Sequence, residues 1–340
     1  MKQLIYTTLA LFMLTAFYSE ASAQIDNVGT SAANFLKIGM GARAQGMAGA
    51  YVAQANDATA LYWNPSGIVS VADREVAFSR IDWIADIQLN YMATVFSLGD
   101  FGHIGVGITY LSMGEMKITN WEHPEGTGET FDANDLSLGL TWARHLTDRF
   151  SIGLTVKYIQ EKINQSSASA YAMDIGTSYD TGFHGVKIGM ALTNFGTKMR
   201  MSGRDLSVRT DPYQQSKGSN PNDVWADLRT EDWPLPIAIR IGTSIDMLKS
   251  EFMRITGNFD FYDYRDVDQM WAVGAETAFM NEQFFIRGGV TPYIEDEIRV
   301  SLGAGLHYMI TEQYGINVDY AYSDLGILEK ANRFSLAIIF

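Results

Sequence analysis

The stretch from Ile298 to Tyr308, IRVSLGAGLHY, alternates apolar side chains with small or polar ones. Ile, Val, Leu, Ala, Leu and Tyr occupy every second position, and Ser, Gly, Gly and His stand between them from position 301 to position 307. Because successive side chains of a β-strand point to opposite faces, the stretch predicts a strand with one apolar face. The other face of a water-soluble sandwich is usually rich in Lys, Glu and Thr, whereas small residues indicate a crowded, enclosed interior.

This period of two recurs along most of the chain, for example over His103–Tyr110, Asp135–Trp142 and Tyr314–Ser323. Fourteen such segments follow one another, and an even number is expected of a single-chain bacterial outer-membrane barrel. The segments begin near Arg74, Asp86, Gly102, Asp135, Arg149, Ala168, His184, Leu235, Phe252, Gln269, Gln283, Glu297, Gln313 and Ala331. The sequence therefore predicts an all-β protein, a transmembrane antiparallel β-barrel of about 14 strands over residues 74–340.

The lengths of the connections predict how the barrel is oriented. Every second connection is short, and the alternate set contains the two longest, Gly114–Asn134 and Gly196–Pro234. Outer-membrane barrels have short periplasmic turns and long outer loops, so we expect both ends of the barrel chain on the periplasmic side. On the apolar face, Trp271 at the outer end and Trp142 and Tyr308 at the inner end are expected to form two aromatic girdles. The alternative is that they are core aromatics of a soluble fold.

The composition and the first residues limit the class of protein. The chain has 340 residues, a formal net charge of −14 and no cysteine. The negative charge argues against a nucleic-acid partner, and the lack of cysteine excludes disulfides and thiolate ligands. Lys2, the apolar run Leu4–Phe17 and the small residues Ala21 to Ala23 predict a signal peptide over residues 1–23, cleaved after Ala23, and export to the outer membrane. An uncleaved anchor, the alternative, would need a longer apolar run.

Residues 24–73 precede the first strand and form the most distinctive segment of the sequence. The run Gly39–Gly67 reads GMGARAQGMAGAYVAQANDATALYWNPSG. We expect Asp57 to cap a short helix that Pro65 terminates. A compact Gly/Ala-rich piece of this kind fits the lumen of a 14-strand barrel, which is too wide for wall side chains alone to fill. Residues 24–73 are therefore predicted to form a plug.

Arg43 is the single basic residue of the run Gly39–Gly67 and stands among small residues. We expect it to pair with an acidic residue of the lumen, such as Asp319 or Asp174, and ligand binding is the alternative. The nearby Gly39 and Gly41 do not form a nucleotide-binding fingerprint, because the third glycine is misplaced and no βαβ unit surrounds them.

The same segment resembles the N-terminal region of the PorV/PorQ family, which belongs to the broader FadL-like group of outer-membrane proteins. The resemblance is strong over Phe35–Gly67 and general along the barrel. It implies a 14-strand barrel with an N-terminal hatch, near which Asn-Pro-Ala is typical, and Ser66 replaces that alanine here. The matching plug residues are Arg43, Gly46, Met47, Gly49, Asp57, Trp63, Asn64, Pro65 and Gly67.

The resemblance implies two different functions. PorV-like members are partners of the type IX secretion system that receive secreted proteins at the translocon and deliver them to an attachment complex, and PorQ-like members anchor surface components. FadL-like members instead carry hydrophobic small molecules across the outer membrane. The PorV/PorQ-type residues favour the secretion-linked role, as shuttle or anchor, over the channel. Type IX secretion components and secreted proteins are then expected partners.

The expected outer loops, one of which is Asp260–Asp268, together hold an excess of acidic residues that equals the net charge of the chain. Such a surface would take up divalent cations alongside lipopolysaccharide or receive a basic partner, and simple solvation is the alternative. The loop Gly196–Pro234 is the candidate partner-contact loop, because it offers aromatic anchors within a polar rim, unless it folds over the mouth as a lid. Its anchors are Met199, Met201, Tyr213, Trp225 and Trp233.

A metal site and catalysis have less support. Asp260, Asp263, Asp266 and Asp268 would offer oxygen ligands to Ca²⁺, but their spacing matches no EF-hand. The five histidines form no metal-binding pair and no Gly-x-Ser-x-Gly elbow is present, so the sequence predicts neither an enzyme nor a cofactor. Phe340, after an alternating strand, resembles the terminal signal that barrel-assembly machinery recognises. That machinery and outer-membrane lipid complete the expected partners, and a soluble extracellular adhesin is the remaining alternative.

Overall fold

The computed structural model describes residues 28–210, 224–292, 298–311, 313–326 and 330–340, so the predicted signal peptide and Tyr213 lie outside the described residues. Fourteen long strands form one sheet. They are β1 (Arg74–Asp82), β2 (Gln88–Ser97), β3 (His103–Ser112), β4 (Ala133–Thr147), β5 (Phe150–Ile163), β6 (Ser166–Asp180), β7 (Lys187–Gly196), β8 (Ala238–Lys249), β9 (Met253–Tyr264), β10 (Val267–Phe279), β11 (Phe284–Pro292), β12 (Ile298–Met309), β13 (Gly315–Asp324) and β14 (Lys330–Ile339). Each begins within three residues of a predicted segment start.

The sheet is antiparallel throughout and closes on itself, because β1 pairs with β14 as well as with β2. Each of the other strands pairs with its neighbours in the chain, including β7 with β8 on the two sides of the longest outer connection. The inner turns are short, and the two longest outer connections follow β3 and β7. The predicted 14-strand antiparallel barrel and its loop parity are therefore confirmed.

Side chains alternate between the two faces of the wall, as the period of two predicts. On β12, Val300, Leu302 and Leu306 are exposed on the outer face, whereas Ser301 is buried on the inner face. An apolar outer band suits a bilayer, and a closed sheet leaves no unpaired backbone edge in the lipid. Among the residues that the structure describes, no helix is long and apolar enough to cross a membrane.

The N-terminal segment, residues 28–73, contains four short helices. They are a 3₁₀-helix Asn34–Lys37, α1 (Ala42–Gln45), α2 (Ala60–Trp63) and a 3₁₀-helix Pro65–Ser70. Asn64 separates the last two, because its backbone is extended and its side chain accepts a hydrogen bond from the Ser66 N–H. Pro65 fits the first position of the following helix, where no N–H donor is required. The α-helix therefore ends before Pro65, as expected, and a 3₁₀-helix begins at Pro65.

The N-terminal segment packs on the inner side of the wall. α1 contacts β12, β13 and β14, and the helix Pro65–Ser70 contacts β4, β5 and β6 on another part of the circumference. Between these, Val52 lies against Gly189 of β7 and Gly242 of β8. The apolar side chains of the N-terminal segment share one buried cluster with inward-facing wall residues. The core of this protein therefore lies between the segment and the wall.

Glycines on the inner face let the backbone of the segment approach the strands closely. An ideal Cβ on Gly153 would lie 2.3 Å from the carbonyl carbon of Pro65, and one on Gly289 would lie 2.3 Å from that of Met47. Both distances are far below van der Waals contact, so a side chain at either glycine would force the segment away. The small residues of the alternating pattern thus serve this packing.

The connections carry the remaining short elements. A 3₁₀-helix, Ile84–Asp86, lies in the first outer connection, and another, Gly99–Phe101, lies in the first inner turn. The outer connection after β3 contains the strand pair Met116–Lys117 and Thr130–Phe131. The outer connection after β7 contains Ser202–Gly203, the 3₁₀-helix Arg204–Leu206, and the paired strands Ser207–Thr210 and Val224–Asp227.

Candidate functional site

Arg43 is fixed to the wall by a two-point ion pair with Glu276 of β10. Its Nε donates to Oε2 at 2.9 Å and its Nη2 donates to Oε1 at 3.1 Å. Within the N-terminal segment, Asp57 lies 3.2 Å from its Nη1. Burial alone would lower the pKa of the Arg43 guanidinium, but Glu276, Tyr51 and Asp57 raise this pKa well above its usual value. Arg43 is therefore a buried, fully charged tie between segment and wall.

The sequence-based prediction named the wrong acidic partners for Arg43. Asp319 instead accepts from Nη1 of Arg287 at 2.5 Å, and Asp174 lies 2.6 Å from Nζ of Lys157. Arg287 also donates from Nε to Glu276 at 2.7 Å, so Glu276 joins two buried guanidinium groups. Buried charges of this kind are tolerated only when each is paired. These charged residues could have been found from the sequence, because they occupy an inner face whose other side chains are mostly small.

Asp260 fixes the segment at a second point. Its Oδ2 accepts hydrogen bonds from the backbone N–H groups of Tyr51 and Val52 at 2.6 and 2.7 Å. Two charge-assisted bonds to adjacent amides orient the backbone at this turn. The sequence placed Asp260 in an outer loop, whereas it lies on the inner face of β9 and is buried.

The four aspartates of the Ca²⁺ hypothesis lie in different surroundings. Asp263 lies on β9 at a position of opposite parity to Asp260, and Asp266 is paired with Lys37 at 2.9 Å. Strand alternation therefore directs the carboxylates to different surroundings. Among the described residues, no group of three or more potential ligands is suitably placed for a metal ion.

Two aromatic residues of α2 enclose a wall arginine. The guanidinium carbon of Arg240 lies 4.8 Å from the ring centre of Tyr62 and 5.1 Å from that of Trp63. The Trp63 indole also donates to the Met40 carbonyl at 2.8 Å. A cation against aromatic rings in a desolvated site is favourable, so Arg240 is a third tie, which the sequence did not reveal.

The other residues of the N-terminal segment that the resemblance singled out have identifiable contacts. Asn64 Nδ2 donates to the Val52 carbonyl and to the Thr177 carbonyl of β6, both at 3.0 Å. Asp57 Oδ1 accepts from the Thr59 N–H at 2.9 Å, ahead of α2. The remaining four lie close to the wall or to other parts of the segment. A Cβ added to Gly46 would meet Gly303, and one added to Gly67 would meet Ala55. Met47 packs on Gly289, and Gly49, which lies next to Trp63, has a φ of +86°.

The structure separates the residues of the candidate partner-contact loop. Met199 is only 1 % exposed and its backbone pairs with that of Trp233, so its side chain belongs to the core. Met201 is half-buried. Trp233 and Trp225 are exposed, Trp225 at 69 %, and Arg209 on the paired strand lies 5.5 Å from the Trp225 ring centre. Trp225 and Trp233 are thus the described members that present side-chain surface.

Three cavities lie between the N-terminal segment and the wall. The largest of the three, about 150 Å³, is bordered by Gln54, Ser66, His145 and Lys187. A second, about 30 Å³, is bordered by Arg43 and Asp319 among others. The third, also about 30 Å³, is lined by Leu61, Tyr91, Thr155, Lys157 and others. All three have polar or charged groups in their linings.

A closed antiparallel barrel with an apolar outer band and a polar inner face defines the class of bacterial outer-membrane β-barrel proteins. The solved CymD monoaromatic hydrocarbon channel matches with a TM-score of 0.55 and 10 % identity over 88 % of this chain and 96 % of that one. The Ralstonia pickettii toluene transporter TbuX matches at 0.53 and 11 % over 88 % and 97 %, and a Pseudomonas aeruginosa FadL homologue at 0.52 and 12 % over 88 % and 98 %. At such identities the likeness concerns the fold alone.

The family model described as type IX secretion system protein PorV matches residues 21–264, which is most of the chain. The chain therefore belongs to the PorV family, a family of protein secretion and not of enzymes, and it resides in the bacterial outer membrane. The resemblance to PorV/PorQ and FadL-like proteins is confirmed. A comparison with curated protein sequences gave no match.

Proposed function

We propose that this protein is an outer-membrane docking protein of the type IX secretion system, which binds secreted proteins or their translocon through its outer loops. Membership of the PorV family is the observation that carries this proposal. The polypeptide partner would bind outside the barrel, at the outer ends of the strands. In this role the barrel is a membrane-embedded platform, and the lumen need not conduct anything.

The exposed aromatic residues of the outer connection after β7 support this role. Trp225 lies on a short two-stranded hairpin with Arg209, beyond the wall, and Trp233 is exposed next to the point where the chain returns to β8. Trp and Arg are the residues most enriched among those that dominate binding energy in protein interfaces. We assign Trp225 and Trp233 to the partner-contact surface, with Met201 at its edge.

The N-terminal segment supplies the second part of the proposal, which is that it acts as a plug. Three ties join it to the wall, at Glu276, Asp260 and Arg240. Because these ties are buried and charged, releasing the segment would leave unpaired charges in the lumen. The plug would therefore stay in place while partners bind outside.

A FadL-like channel for hydrophobic small molecules is the second candidate function. The channel function is favoured by the fold, because the barrel matches a hydrocarbon channel and a toluene transporter. Pockets for such molecules have volumes of about 300–1,000 Å³. The three cavities of this barrel are smaller, at about 30, 150 and 30 Å³. The secretion-linked function is therefore preferred.

Two further partners belong to the proposal. The acidic outer connections would bind divalent cations that bridge to lipopolysaccharide phosphates. Phe340 ends the chain beside the first strand, where its N–H donates to the Arg74 carbonyl, and it would be presented to barrel-assembly machinery on the periplasmic side.

The proposal is tested by affinity purification of the intact protein from gently solubilised outer membranes, with the associated proteins and lipids measured by mass spectrometry. We expect secreted proteins or a translocon component to co-purify. The double variant Trp225→Ala/Trp233→Ala should reduce their recovery by about tenfold or more, because truncating two interface aromatics removes much of the binding energy. Phe252→Ala is the matched control, since Phe252 is 81 % exposed but lies at an inner turn.

Two outcomes would speak against the docking role. Recovery of a lone barrel that holds fatty acid or another apolar molecule favours the channel. Equal recovery of secreted proteins with the double variant and with wild type removes Trp225 and Trp233 from the contact surface.

The same purification distinguishes a shuttle from an anchor. Secreted proteins that exchange rapidly indicate a shuttle, and stably retained ones indicate an anchor.

A further inference from the structure

The outer connection between β3 and β4 presents an indole that none of the residues described by the structure covers. Trp121 lies at the tip of this connection and its side chain is fully exposed. Large aromatic side chains are normally at least partly buried, so a fully exposed tryptophan at a loop tip is informative. The sequence-based candidate loop did not include this residue.

The connection is a structured hairpin with a defined tip. Met116 pairs with Phe131 and Lys117 with Thr130, and the Ile118 and Thr127 N–H groups continue the ladder towards the tip. At the tip, the Asn120 side-chain oxygen accepts from the Glu122 and His123 N–H groups at 3.1 and 2.7 Å. The turn that carries Trp121 is therefore held by hydrogen bonds, and the indole is presented at a defined position.

The surroundings of Trp121 are acidic. Between Gly114 and Asp132 the hairpin has five acidic residues and one basic residue, Lys117. Glu122, Glu125 and Glu129 are exposed, and no ion pair involves them in the described part of the chain. Their charge is uncompensated by neighbours, so a positively charged surface would be attracted to the tip.

We propose that the hairpin of residues 114–132 is a docking element for a basic protein surface, in which Trp121 fills a pocket and the three glutamates surround it with charge contacts. An aromatic anchor inside a charged rim is a common arrangement for interface residues that dominate affinity. The inference rests on the proposed function, and it adds the chemistry of the partner and a contact site separate from Trp225 and Trp233.

A photoreactive phenylalanine analogue is placed at position 121 and cross-linked in living cells. The protein that it captures is the probe for the binding measurements. Its identity comes from mass spectrometry, and it is then purified for titration against the detergent-solubilised barrel. We expect a polypeptide whose cross-linked region has a net positive charge. The same analogue at position 252, in an inner turn, is the control and should not yield this protein.

Two variants then separate the anchor from the charge. Trp121→Ala should weaken binding of the purified partner by about 30-fold or more, with Trp121→Phe intermediate, because a pocket that fits an indole partly accommodates a smaller ring. Glu122→Gln/Glu125→Gln/Glu129→Gln should slow association and flatten its dependence on salt. Since these side chains are exposed on the hairpin, heat-modifiable gel migration should be unchanged in both.

The inference is overturned if the cross-linked species is lipopolysaccharide or a second copy of this chain, or if Trp121→Ala binds the partner as wild type does. Suppose that one of these results is found while secreted proteins still co-purify with wild type and are lost from the Trp225/Trp233 variant. In that case only the hairpin inference fails, and the proposed function stands. If nothing co-purifies with wild type, the proposed function itself fails.

Discussion

At the scale of single residues, Glu276 is the centre of the buried charge network. It pairs with Arg43 of the N-terminal segment and with Arg287 of the wall, and its side chain is inaccessible to solvent. Removing one partner of a buried pair leaves the other charge without compensation, which costs more than the pair contributes. Here the guanidinium groups of Arg43 and Arg287 depend on one carboxylate, and that of Arg254 lies 3.7 Å from it.

Glu276→Gln should therefore lower the free energy of unfolding by about 3–5 kcal/mol. The measurement is the temperature or urea concentration at which the folded, heat-modifiable form is lost on a gel. The matched control is Asp82→Asn, which breaks the exposed pair with Arg80 and should cost under about 1 kcal/mol. Equal effects of the two variants would contradict the buried network.

Adjacent glycines on β11 provide a second test at residue scale. A Cβ at Gly289 would lie 2.3 Å from the Met47 carbonyl carbon, whereas one at Gly288 on the outer face would lie 3.8 Å from Leu302 Cδ2. Gly289→Ala should destabilise the docked segment by about 1–3 kcal/mol, and Gly288→Ala should be neutral. Protease cleavage within residues 28–73 in detergent reports the difference. Identical cleavage rates would mean that the backbone does not pack on Gly289.

At the scale of elements, the N-terminal segment is a set of helices of four to six residues. Helices this short are not stable alone in water, so their conformation depends on the wall. Small residues permit the close approach, and the charged ties set the position. The segment and the inner face of the barrel therefore form one cooperative unit.

Deletion of residues 39–67 should convert the barrel into an open pore. A 14-strand wall encloses more space than its own side chains fill, so loss of the segment leaves an aqueous path. Single-channel conductance in planar bilayers is the measurement. Deletion of the outer hairpin 116–131 is the control and should leave conductance unchanged. An unaltered current after the 39–67 deletion would argue against a plug, provided that the barrel still migrates as folded.

At the scale of the whole molecule, closure of the sheet joins the first and last strands. The pairing of β1 with β14 brings the two ends of the barrel chain together at the inner end, where the Phe340 N–H donates to Arg74. Folding therefore requires the C-terminal strand to be delivered in register. Phe340 lies on the outer-face side of this strand, where the proposed contact with assembly machinery would form before closure.

Phe340→Ala should reduce the amount of folded barrel in the outer membrane severalfold and leave the stability of the folded fraction nearly unchanged, because its contribution is to assembly. The folded and unfolded fractions are compared by heat-modifiable migration of outer-membrane samples. Ile338→Ala, on the same outer face of β14, is the control. Equal yields of the two variants would remove Phe340 from the assembly step.

The alternating pattern of residues 298–308 and its repeats determined strand number, strand starts and loop parity. This worked because one side chain per two residues must face lipid, a local requirement that each strand satisfies by itself. The N-terminal residues that determined the family resemblance were also local, being one continuous run. Asp260 shows the limit, since a strand end and a loop start are not separable by composition alone.

The pairing of charges was decided only by the tertiary structure. Arg43 required an acid, as its isolation in the sequence indicated, but the choice of Glu276 over Asp319 or Asp174 follows from strand register and barrel closure. Likewise, Met199 and Trp233 are both apolar loop residues, and only the path of the loop makes one core and the other surface. The sequence determines which residues face inward, because that depends on period. The structure determines which of them meet across the lumen, because that depends on how fourteen strands close.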